Sequence, residues 1–350
     1  MTEFNKKNAL KIINSVAPIR ICDIGGWTDT WFSEFGKIFN IGVYPYAEVQ
    51  VEIYSMKENN QIIIQAENFG DRYIVDHENM QYKHPLIEAS IKKMNLPKNL
   101  TYQINIFSEA PIGASTGTSS AVSVALIGAL NHFNRSNLNL KDIAYTAHYI
   151  ETKMLNQQSG IQDQICSAFG GINFIDMYKY PYARIHKIKL PNPIWWELER
   201  RLLLIYLGKS HNSSKMHEKV IKELENECPN NRKLNDLRKL ALKAVNAIRK
   251  GDFNEFGEIM VKNTLAQEQL HYELISKEAR KVIEIAKEYG ALGYKINGAG
   301  GDGGSLTILC NPLSHIKRNM IRSIEDENKI FKNIPIYLSR RGLRVWESLN

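Results

Sequence analysis

A strand, a loop rich in glycine and hydroxyl side chains, and a helix follow one another between residues 104 and 130. The loop includes Pro111 to Ser120, and the apolar run Ala121–Leu130 that follows is typical of a buried helix. A loop of this kind opens onto a helix N-terminus, where unpaired N–H groups and the positive end of the helix dipole bind anions, most often phosphate. The arrangement therefore predicts a fold with a phosphate site at one helix end, and it points to a nucleotide.

The residues expected around the phosphates belong to the loop and the first helical turn: Pro111, Gly113, Ala114, Ser115, Thr116, Gly117, Thr118, Ser119 and Ser120. Small residues let the backbone close on the ligand, and the hydroxyls can bind phosphate oxygen or Mg²⁺. No Gly-Lys-Ser/Thr sequence closes the loop, so it is not a Walker motif and other residues must hold the outer phosphates. A simpler alternative is that Thr118 or Ser119 only caps an ordinary helix.

Composition is that of an ordinary globular protein. The chain has 350 residues, of which 43% are hydrophobic and 23% charged, and it is long enough for two packed domains. No apolar run approaches the ~18 residues of a membrane span, and the N-terminus lacks the apolar stretch of a signal peptide. Four cysteines lie far apart, without a Cys-x-x-Cys pair, so neither a zinc site nor a disulfide framework is indicated. We expect a cytoplasmic protein with reduced thiols and no membrane partner.

The formal net charge of +8 and the pI near 9.1 raise the question of nucleic-acid binding. The lysines are spread through segments such as 215–222 and 232–250, where they alternate with Glu and Asp. No basic stripe is interleaved with aromatic residues. The pattern favours a solvated surface that helps to attract anionic substrates, and no nucleic-acid partner is expected.

Sequence patterns divide the chain into a first third that is mostly sheet, a helix pair, and a second half rich in helices. A domain boundary is predicted near residues 180–200. The segments with strand character are 49–54, 61–65, 102–106, 172–177, 185–190, 202–206 and 336–338, with a turn at Asn59-Asn60. Helical patterns cover 119–155, interrupted at 137–140, the region from about 207 to 289, and 313–327.

A second glycine cluster, Gly298 to Gly304, contains a literal G-x-G-x-x-G. A dinucleotide site needs a helix after this motif, whereas the residues Ser305–Cys310 that follow are β-patterned. So many glycines between two strands suggest backbone packed against a ligand or against the other domain's loop. A merely flexible loop is the alternative.

Two carboxylates follow the first long helix. Glu151 lies four residues from Ala147 and from Leu155, on the face that packs, and a buried carboxylate needs a partner. That partner is either Mg²⁺ bound to nucleotide phosphates, with Ser119 as a further ligand, or a nearby lysine. Asp163 lies in a polar segment and is a candidate base for an attacking hydroxyl, or else a helix N-cap.

Three motifs in this order resemble the GHMP kinases, the superfamily of galactokinase, homoserine kinase, mevalonate kinase and phosphomevalonate kinase. They are Ala17–Asp29, Pro111–Ala121 and Gly298–Ser305, and the resemblance covers nearly the whole chain. It implies a two-domain α+β fold, with a ribosomal-protein-S5-like α/β domain over residues 1–190 and a ferredoxin-like α+β domain over 191–350. It also implies that ATP and Mg²⁺ are bound.

The resemblance assigns roles to individual residues. Ser119 and Glu151 match the ligands of Mg²⁺, and Asp163 matches the catalytic aspartate. Arg20 and Asp29 fall in the sugar-side motif, where the alternative is a local ion pair. The resemblance implies that Arg20 is a catalytic residue together with Asp163. The residues implied on the substrate side, together with Asp29, are Gly26, Thr28, Gly300, Gly301 and Asp302. The chain departs from the usual Gly-Leu-Gly-Ser-Ser-Ala loop, and Ser115 in place of glycine narrows the backbone angles open to the loop.

Within the superfamily, the motifs are most similar to bacterial heptose and fucose kinases that phosphorylate the anomeric hydroxyl of a sugar. This likeness rests on residues 20–29, 160–173 and 208–214, and it implies a heptose 7-phosphate as acceptor for the synthesis of surface polysaccharide. A short stretch of cations and hydroxyls is a candidate cradle for the acceptor's own phosphate: Lys209, Ser210, His211, Ser213 and Ser214. A polar loop that caps the next helix is the alternative for this stretch.

The sequence thus predicts an ATP- and Mg²⁺-dependent sugar kinase that acts as a monomer or homodimer. Two alternatives remain open at this stage. One is a kinase of another sugar, such as fucose or galactose, on the same scaffold. The other is a sugar- or nucleotide-binding protein that has kept the fold and lost the reaction.

Overall fold

The structure is a computed structural model that describes residues 9–55, 61–76, 82–208, 213–224 and 228–348. The turn predicted at Asn59-Asn60 lies outside these ranges. No helix in the described part of the chain is long and apolar enough to cross a membrane.

A nine-stranded sheet forms the first layer. Its strands are β1 (Lys11–Ile24), β2 (Gly36–Ser55), β3 (Ile62–Ala66), β4 (Asp71–Val75), β5 (Leu100–Ser108), β6 (Ile172–Lys179), β7 (Tyr182–Ile188), β12 (Tyr337–Leu338) and β13 (Arg344–Glu347). The order β13-β1-β2-β5-β3-β4 runs through its main part, while β6 and β12 pair with the first half of β2, and β7 pairs with β6. All pairs are antiparallel except β3 with β5.

Four helices cover this sheet: α1 (Pro85–Met94), α2 (Thr118–Asn134), α3 (Leu140–Tyr149) and α4 (Gln162–Phe169). The predicted break between two helices at 137–140 is confirmed, because Asn139 caps α3 through the main-chain N–H groups of Lys141 and Asp142. After α3 the backbone widens into one π-helical turn, Ile150–Met154.

The second unit is built on a four-stranded antiparallel sheet with the order β11-β8-β10-β9. Its strands are β8 (Leu202–Tyr206), β9 (Gly293–Ile296), β10 (Ser305–Leu309) and β11 (Lys332–Ile334), and its helices are α5 (Asn192–Arg201), α6 (Ser213–Leu224), α7 (Arg232–Lys250), α8 (Phe253–Leu270), α9 (Lys277–Glu288) and α10 (Ser314–Glu327).

Strand β8 shows why this sheet is apolar on both faces. Leu202 and Leu204 belong to the large core shared with the first sheet and α7, whereas Leu203 and Ile205 face a separate core beneath α9 and α10. Successive side chains of a strand point to opposite faces, so a strand covered on both sides is apolar throughout. The two-domain α+β fold expected from the resemblance is confirmed.

The C-terminal residues return to the first unit. Strand β13 pairs with β1, and β12 pairs with β2. The sequence patterns indicated a strand near 336–338 but neither β11 nor β13. The boundary at residue 190 stays a prediction, and residues 337–347 belong by their strand pairing to the sheet of the first 190 residues.

Candidate active site

The phosphate loop, residues 109–117, connects the end of β5 with the start of α2. The helix begins at Thr118, and its N-cap is Gly117, which has φ +70° and no side chain that could cap the helix. The alternative in which Thr118 or Ser119 is the cap is therefore wrong. The first N–H groups of α2 have no partner within the helix, and they carry the positive end of its dipole.

Contacts from distant parts of the chain fix the loop. The main-chain N–H of Arg20 donates to the carbonyl of Thr116 at 2.8 Å, and the hydroxyl of Ser305 donates to the carbonyl of Ala114 at 2.6 Å. Ser115, the residue that replaces glycine, has φ +57°, a backbone conformation that favours glycine. The loop's peptide groups are thus held by β1 on one side and by β10 on the other.

A cavity of about 430 Å³ lies beside this loop. One group of lining residues is mainly apolar and comes from the β3–β4 turn, α1, β5 and α2: Ala66, Asn68, Phe69, His84, Pro85, Leu86, Ile87, Ile106, Ile112 and Val122. The other group is polar and comes from β1 and the turn after it, from the π-helical turn, and from the start of α4 and the segment before it: Arg20, Asp23, Asp29, Glu151, Gln158, Ser159, Gln162 and Asp163. The cavity therefore has an apolar part and a part rich in carboxylates.

Asp163 lies in the first turn of α4 and is bound by Arg20 at two points. Nε of Arg20 donates to Oδ1 at 2.7 Å, and Nη2 donates to Oδ2 at 3.2 Å. The α4 N-cap is Ile161, so Asp163 is not a cap. A Cβ atom added to Gly117 would lie 3.0 Å from Oδ2 of Asp163, which shows how closely this carboxylate approaches the start of α2.

Glu151 lies on the π-helical turn and faces the same cavity. Its spacing of four from Ala147 and Leu155 predicted an α-helical face, but the wider turn changes that geometry. The carboxylate accepts hydrogen bonds from the hydroxyl of Ser159 at 3.0 Å and from Nε2 of Gln164 at 2.5 Å. Burial raises the pKa of Glu151 to about 7 against the opposing effect of these hydrogen bonds, and the charge of Asp163 adds to the rise.

Asp29 is buried at the polar side of the cavity. Its Oδ2 accepts a hydrogen bond from the main-chain N–H of Gln162 at 3.1 Å. Gly160 makes room for it, because a Cβ there would lie 2.0 Å from the same oxygen. Burial raises the pKa of Asp29 to about 7, in part offset by the hydrogen bond from Gln162.

A buried ionic network connects the two units behind the cavity. Asp23, which is 1% exposed, accepts hydrogen bonds from Nζ of Lys295 at 3.4 Å and from the main-chain N–H of Gly298 at 3.1 Å. Arg20 lies 3.9 Å from Asp23 as well as binding Asp163. Burial lowers the pKa of Lys295, while the charge of Asp23 opposes that fall. Arg20 therefore makes one local ion pair, with Asp23, and one long-range ion pair, with Asp163, and in the described part of the chain it does not pair with Asp29.

The second glycine segment contacts the phosphate loop at its first residue. A Cβ on Gly298 would lie 3.0 Å from the carbonyl oxygen of Ser115, and Gly298 and Ala299 line the cavity. This supports the expectation that the segment packs against the other domain's loop. Gly300 and Gly301 are instead packed against Leu274 and Met216, away from the cavity lining.

Several residues expected on the ligand side do not line the cavity. Asp302 is exposed, and Gly26 packs against Asp23. The hydroxyl of Thr28 donates a hydrogen bond to the carbonyl of Gly25 at 2.7 Å. Pro111 shapes the turn of the phosphate loop through its carbonyl, which accepts from the main-chain N–H of Ala114. The ligand roles expected for these residues stay predictions.

The candidate cradle for a second phosphate falls largely outside the described part of the chain. Lys209, Ser210 and His211 are not among the described residues, and Ser213 and Ser214 belong to the first turn of α6. Their proposed role therefore stays a prediction.

Sequence reasoning missed most of the apolar part of the cavity. The rings of Phe69 and His84 contact each other there at an angle of 45°, with centroids 4.7 Å apart, yet Phe69 belongs to a short 3-10 turn and His84 precedes α1. Only the fold brings these segments together, so no local pattern indicates them. Gln158 and Gln162 were also missed, although the polar segment around Asp163 was a usable signal.

The oxygen atoms beside the phosphate loop fit a Mg²⁺ ion bound together with phosphate. The described residues contain no cluster of three or more His, Cys, Asp or Glu side chains arranged for a metal. Magnesium commonly takes only one or two carboxylates and completes its shell with water and substrate phosphates. Glu151 accepts hydrogen bonds only from neutral groups, Ser159 and Gln164, and in the described structure no lysine or arginine pairs with it.

Comparisons with known proteins agree with this geometry. The family model for the GHMP kinases N terminal domain matches residues 84–171, and the model for GHMP kinases C terminal matches residues 242–323. A D-glycero-alpha-D-manno-heptose 7-phosphate kinase from Campylobacter jejuni is 23% identical over 346 residues, covering 96% of this chain and 99% of that protein.

Two further proteins extend the comparison. A mevalonate kinase from Thermococcus sibiricus is 28% identical over 277 residues, covering 77% of this chain and 75% of that protein. The crystal structure of a D-glycero-D-manno-heptose 1-phosphate kinase from Bacteroides thetaiotaomicron superposes with a TM-score of 0.76 at 21% identity, covering 97% of this chain and 100% of that one. Both domains of the fold are thus matched over nearly their full length.

Proposed function

The chain belongs to the GHMP kinases, and from that premise we propose that it transfers the γ-phosphoryl group of ATP to the anomeric hydroxyl of D-glycero-D-manno-heptose 7-phosphate. It is a sugar kinase. The heptose is proposed because the motifs 20–29, 160–173 and 208–214 resemble those of heptose kinases and because a heptose 7-phosphate kinase matches nearly the whole chain.

One observation carries the proposal for the reaction. The carboxylate of Asp163, bound at two points by Arg20, lies next to Gly117, where the uncapped N-terminus of α2 begins. An anion site and an oriented acid thus share one cavity. This is the arrangement that phosphoryl transfer requires, since its catalysis rests on positioning and charge stabilisation.

The residues take distinct roles in this mechanism. Main-chain N–H groups from Gly113 to Ser120 hold the phosphates, and Asp163 orients the acceptor hydroxyl and takes its proton as the new P–O bond forms. Asp29 binds another hydroxyl of the sugar. Ser119 and Glu151 would hold Mg²⁺, which when bound neutralises negative charge on the phosphate oxygens.

The apolar part of the cavity is proposed to bind the adenine base. The aromatic rings of Phe69 and His84 line this part together with the apolar side chains of Leu86, Ile106 and Val122. A flat heteroaromatic base stacks on such side chains and gains from leaving water. The sugar then occupies the polar part, on the far side of the phosphate loop from the base.

The experiment is a coupled assay of ADP release with Mg·ATP and a panel of acceptors: D-glycero-D-manno-heptose 7-phosphate, the unphosphorylated heptose, L-fucose, D-galactose and mevalonate. We expect the highest kcat/KM with the heptose 7-phosphate, and NMR of the product should show phosphate on the anomeric carbon. A higher kcat/KM with fucose or galactose would support the other sugar-kinase alternative. ATP binding without ADP release for any acceptor would contradict the kinase proposal.

A cytoplasmic location and a monomeric or homodimeric state are likewise proposals. A reaction that uses ATP and a phosphorylated sugar fits the compartment in which both are made. Sedimentation of the purified protein measures the oligomeric state directly.

A further inference from the structure

Two glutamine side chains in the polar part of the cavity have carbonyl oxygens without a hydrogen-bond partner among the described residues. Gln158 and Gln162 both line the cavity, and in each the Oε1 atom is buried and unpartnered. Gln162 is only 7% exposed. Buried polar atoms normally have partners, so an unpaired oxygen on a side chain that lines a cavity points to a donor supplied by a ligand.

The backbone of Gln162 is fixed from both sides. Its main-chain N–H donates to Oδ2 of Asp29 at 3.1 Å, and its carbonyl accepts from Nδ2 of Asn40 at 3.3 Å. An added Cβ on Gly26 would come within 3.4 Å of Nε2 of Gln162, so the carboxamide is packed against that glycine. The main chain of Gln162 is therefore fixed, whereas its side-chain oxygen has no donor among the described residues.

The chemistry around Gln162 selects the kind of ligand. Asp29 and Asp163 are carboxylates, and the glutamine oxygens are also acceptors, so this part of the cavity offers mainly hydrogen-bond acceptors. An anion is disfavoured beside them, whereas a molecule with several O–H donors satisfies them all. A sugar has this property.

We propose that Gln162 is a specificity-determining residue whose Oε1 accepts a hydrogen bond from a sugar hydroxyl other than the one that is phosphorylated. The proposal rests on the proposed function, because Asp163 is taken to face the phosphorylated hydroxyl. A site built to pair a substrate hydroxyl discriminates strongly against an analogue that lacks it.

The test compares the wild-type enzyme with Gln162→Met, which keeps the length of the side chain and removes both polar atoms. The substrates are D-glycero-D-manno-heptose 7-phosphate and its 2-deoxy, 3-deoxy and 4-deoxy analogues. We expect the substitution to lower kcat/KM for the parent sugar about tenfold, the cost of one lost hydrogen bond in a buried site, with the KM for ATP unchanged. For one analogue the variant and the wild type should have the same kcat/KM.

Gln65→Met is the matched control, because it makes the same exchange on β3 at a residue that does not line the cavity. Gln162→Asn is a second variant that keeps the amide and withdraws its oxygen, and it should show the same selective loss. Unchanged kcat/KM in both Gln162 variants, or an equal loss with the parent sugar and all three analogues, would overturn the proposal while leaving the kinase intact. If the wild type phosphorylates none of these sugars, the proposed function itself fails.

Discussion

Arg20 binds Asp163 through two hydrogen bonds, with Nε to Oδ1 at 2.7 Å and Nη2 to Oδ2 at 3.2 Å. The same guanidinium donates to the carbonyl of Ser115, and the main-chain N–H of Arg20 donates to the carbonyl of Thr116. One residue at the end of β1 therefore sets the position of both the acid and the phosphate loop. In the proposed reaction, the distance between the acceptor's hydroxyl and the nucleotide's phosphate would depend on this pair.

Replacing Asp163 by Asn should lower kcat by about 10²–10⁴-fold, the range attributed to a positioned acid or base. The amide keeps an oxygen for Arg20 and a similar shape, so the phosphate loop should stay in place and the Kd for Mg·ATP should change little. Steady-state kinetics and a nucleotide titration measure the two quantities. A variant with near-normal kcat would remove Asp163 from the mechanism.

Replacing Gly298 by Ala should raise the KM for ATP about tenfold or more. The added Cβ would lie 3.0 Å from the carbonyl oxygen of Ser115 and 3.1 Å from Nη2 of Arg20, so the phosphate loop or the guanidinium must move. Displacement by a few tenths of an ångström weakens several hydrogen bonds to phosphate together.

Gly290→Ala is the control for backbone strain alone. Gly290 has φ +66°, close to the φ +62° of Gly298, but an added Cβ would meet only Nδ2 of Asn311, at 3.8 Å. Both variants should lose stability in urea unfolding, Gly298→Ala by more because of its close contacts, while only Gly298→Ala should change the KM for ATP. Equal KM values in the two variants would show that Gly298 does not support the loop.

The sequence predicted the parts of the site that lie in continuous segments. Residues 104–130 carry a strand, a loop and a helix in one stretch, so their local pattern was sufficient to predict β5, α2 and the loop between them, where the phosphate site is proposed. The β-pattern after the second glycine cluster was likewise sufficient to reject a dinucleotide site, and β10 (Ser305–Leu309) confirms that argument.

Other parts could not be predicted because they depend on long-range packing. Lysine side chains normally lie at the surface, so the sequence gives no sign that Lys295 is fully buried. It is buried because Asp23 and Gln267 accept hydrogen bonds from its ammonium group. Strand β13 has four residues and becomes a strand only by pairing with β1. The ligand roles predicted for Gly300 and Gly301 were based on the motif Gly298–Ser305. Of the glycines in that motif, only Gly298 lines the cavity.

Replacing Ser115 by Gly should raise the free energy of unfolding by up to about 1 kcal/mol. Ser115 has φ +57°, and this backbone conformation destabilises a residue with a side chain by about 1 kcal/mol. Glycine removes that strain but offsets part of the gain, because it makes the unfolded chain more flexible. Urea unfolding at constant m-value measures the change. Ser123→Gly, within the right-handed helix α2, should instead lose about 0.5 kcal/mol, and a loss of the same size in Ser115→Gly would contradict the argument.

Replacing Glu151 by Gln should make the free protein more stable at pH 8 and the enzyme less active. Burial raises the pKa of Glu151 to about 7, above its value of 4.5 in an unfolded chain, so the folded state binds the proton more tightly. Its contribution to stability is therefore present below pH 4.5, is lost as the pH rises from 4.5 to 7, and stays lost above 7. Gln does not titrate and can still accept from Ser159.

The difference in free energy of unfolding between Glu151→Gln and wild type should accordingly grow between pH 4.5 and 7. It should level off at about 2 kcal/mol, which is less than the complete pKa shift from 4.5 to about 7 would give, because the cavity admits water. Asp29 titrates in both proteins and cancels in the difference. Urea unfolding of the nucleotide-free proteins at a series of pH values gives the curve, and kcat at saturating Mg·ATP should fall about 10²-fold because the carboxylate is lost where Mg²⁺ would bind. Parallel stability curves over this pH range would show that Glu151 is ionised without cost in the free enzyme, and its burial would then need another explanation.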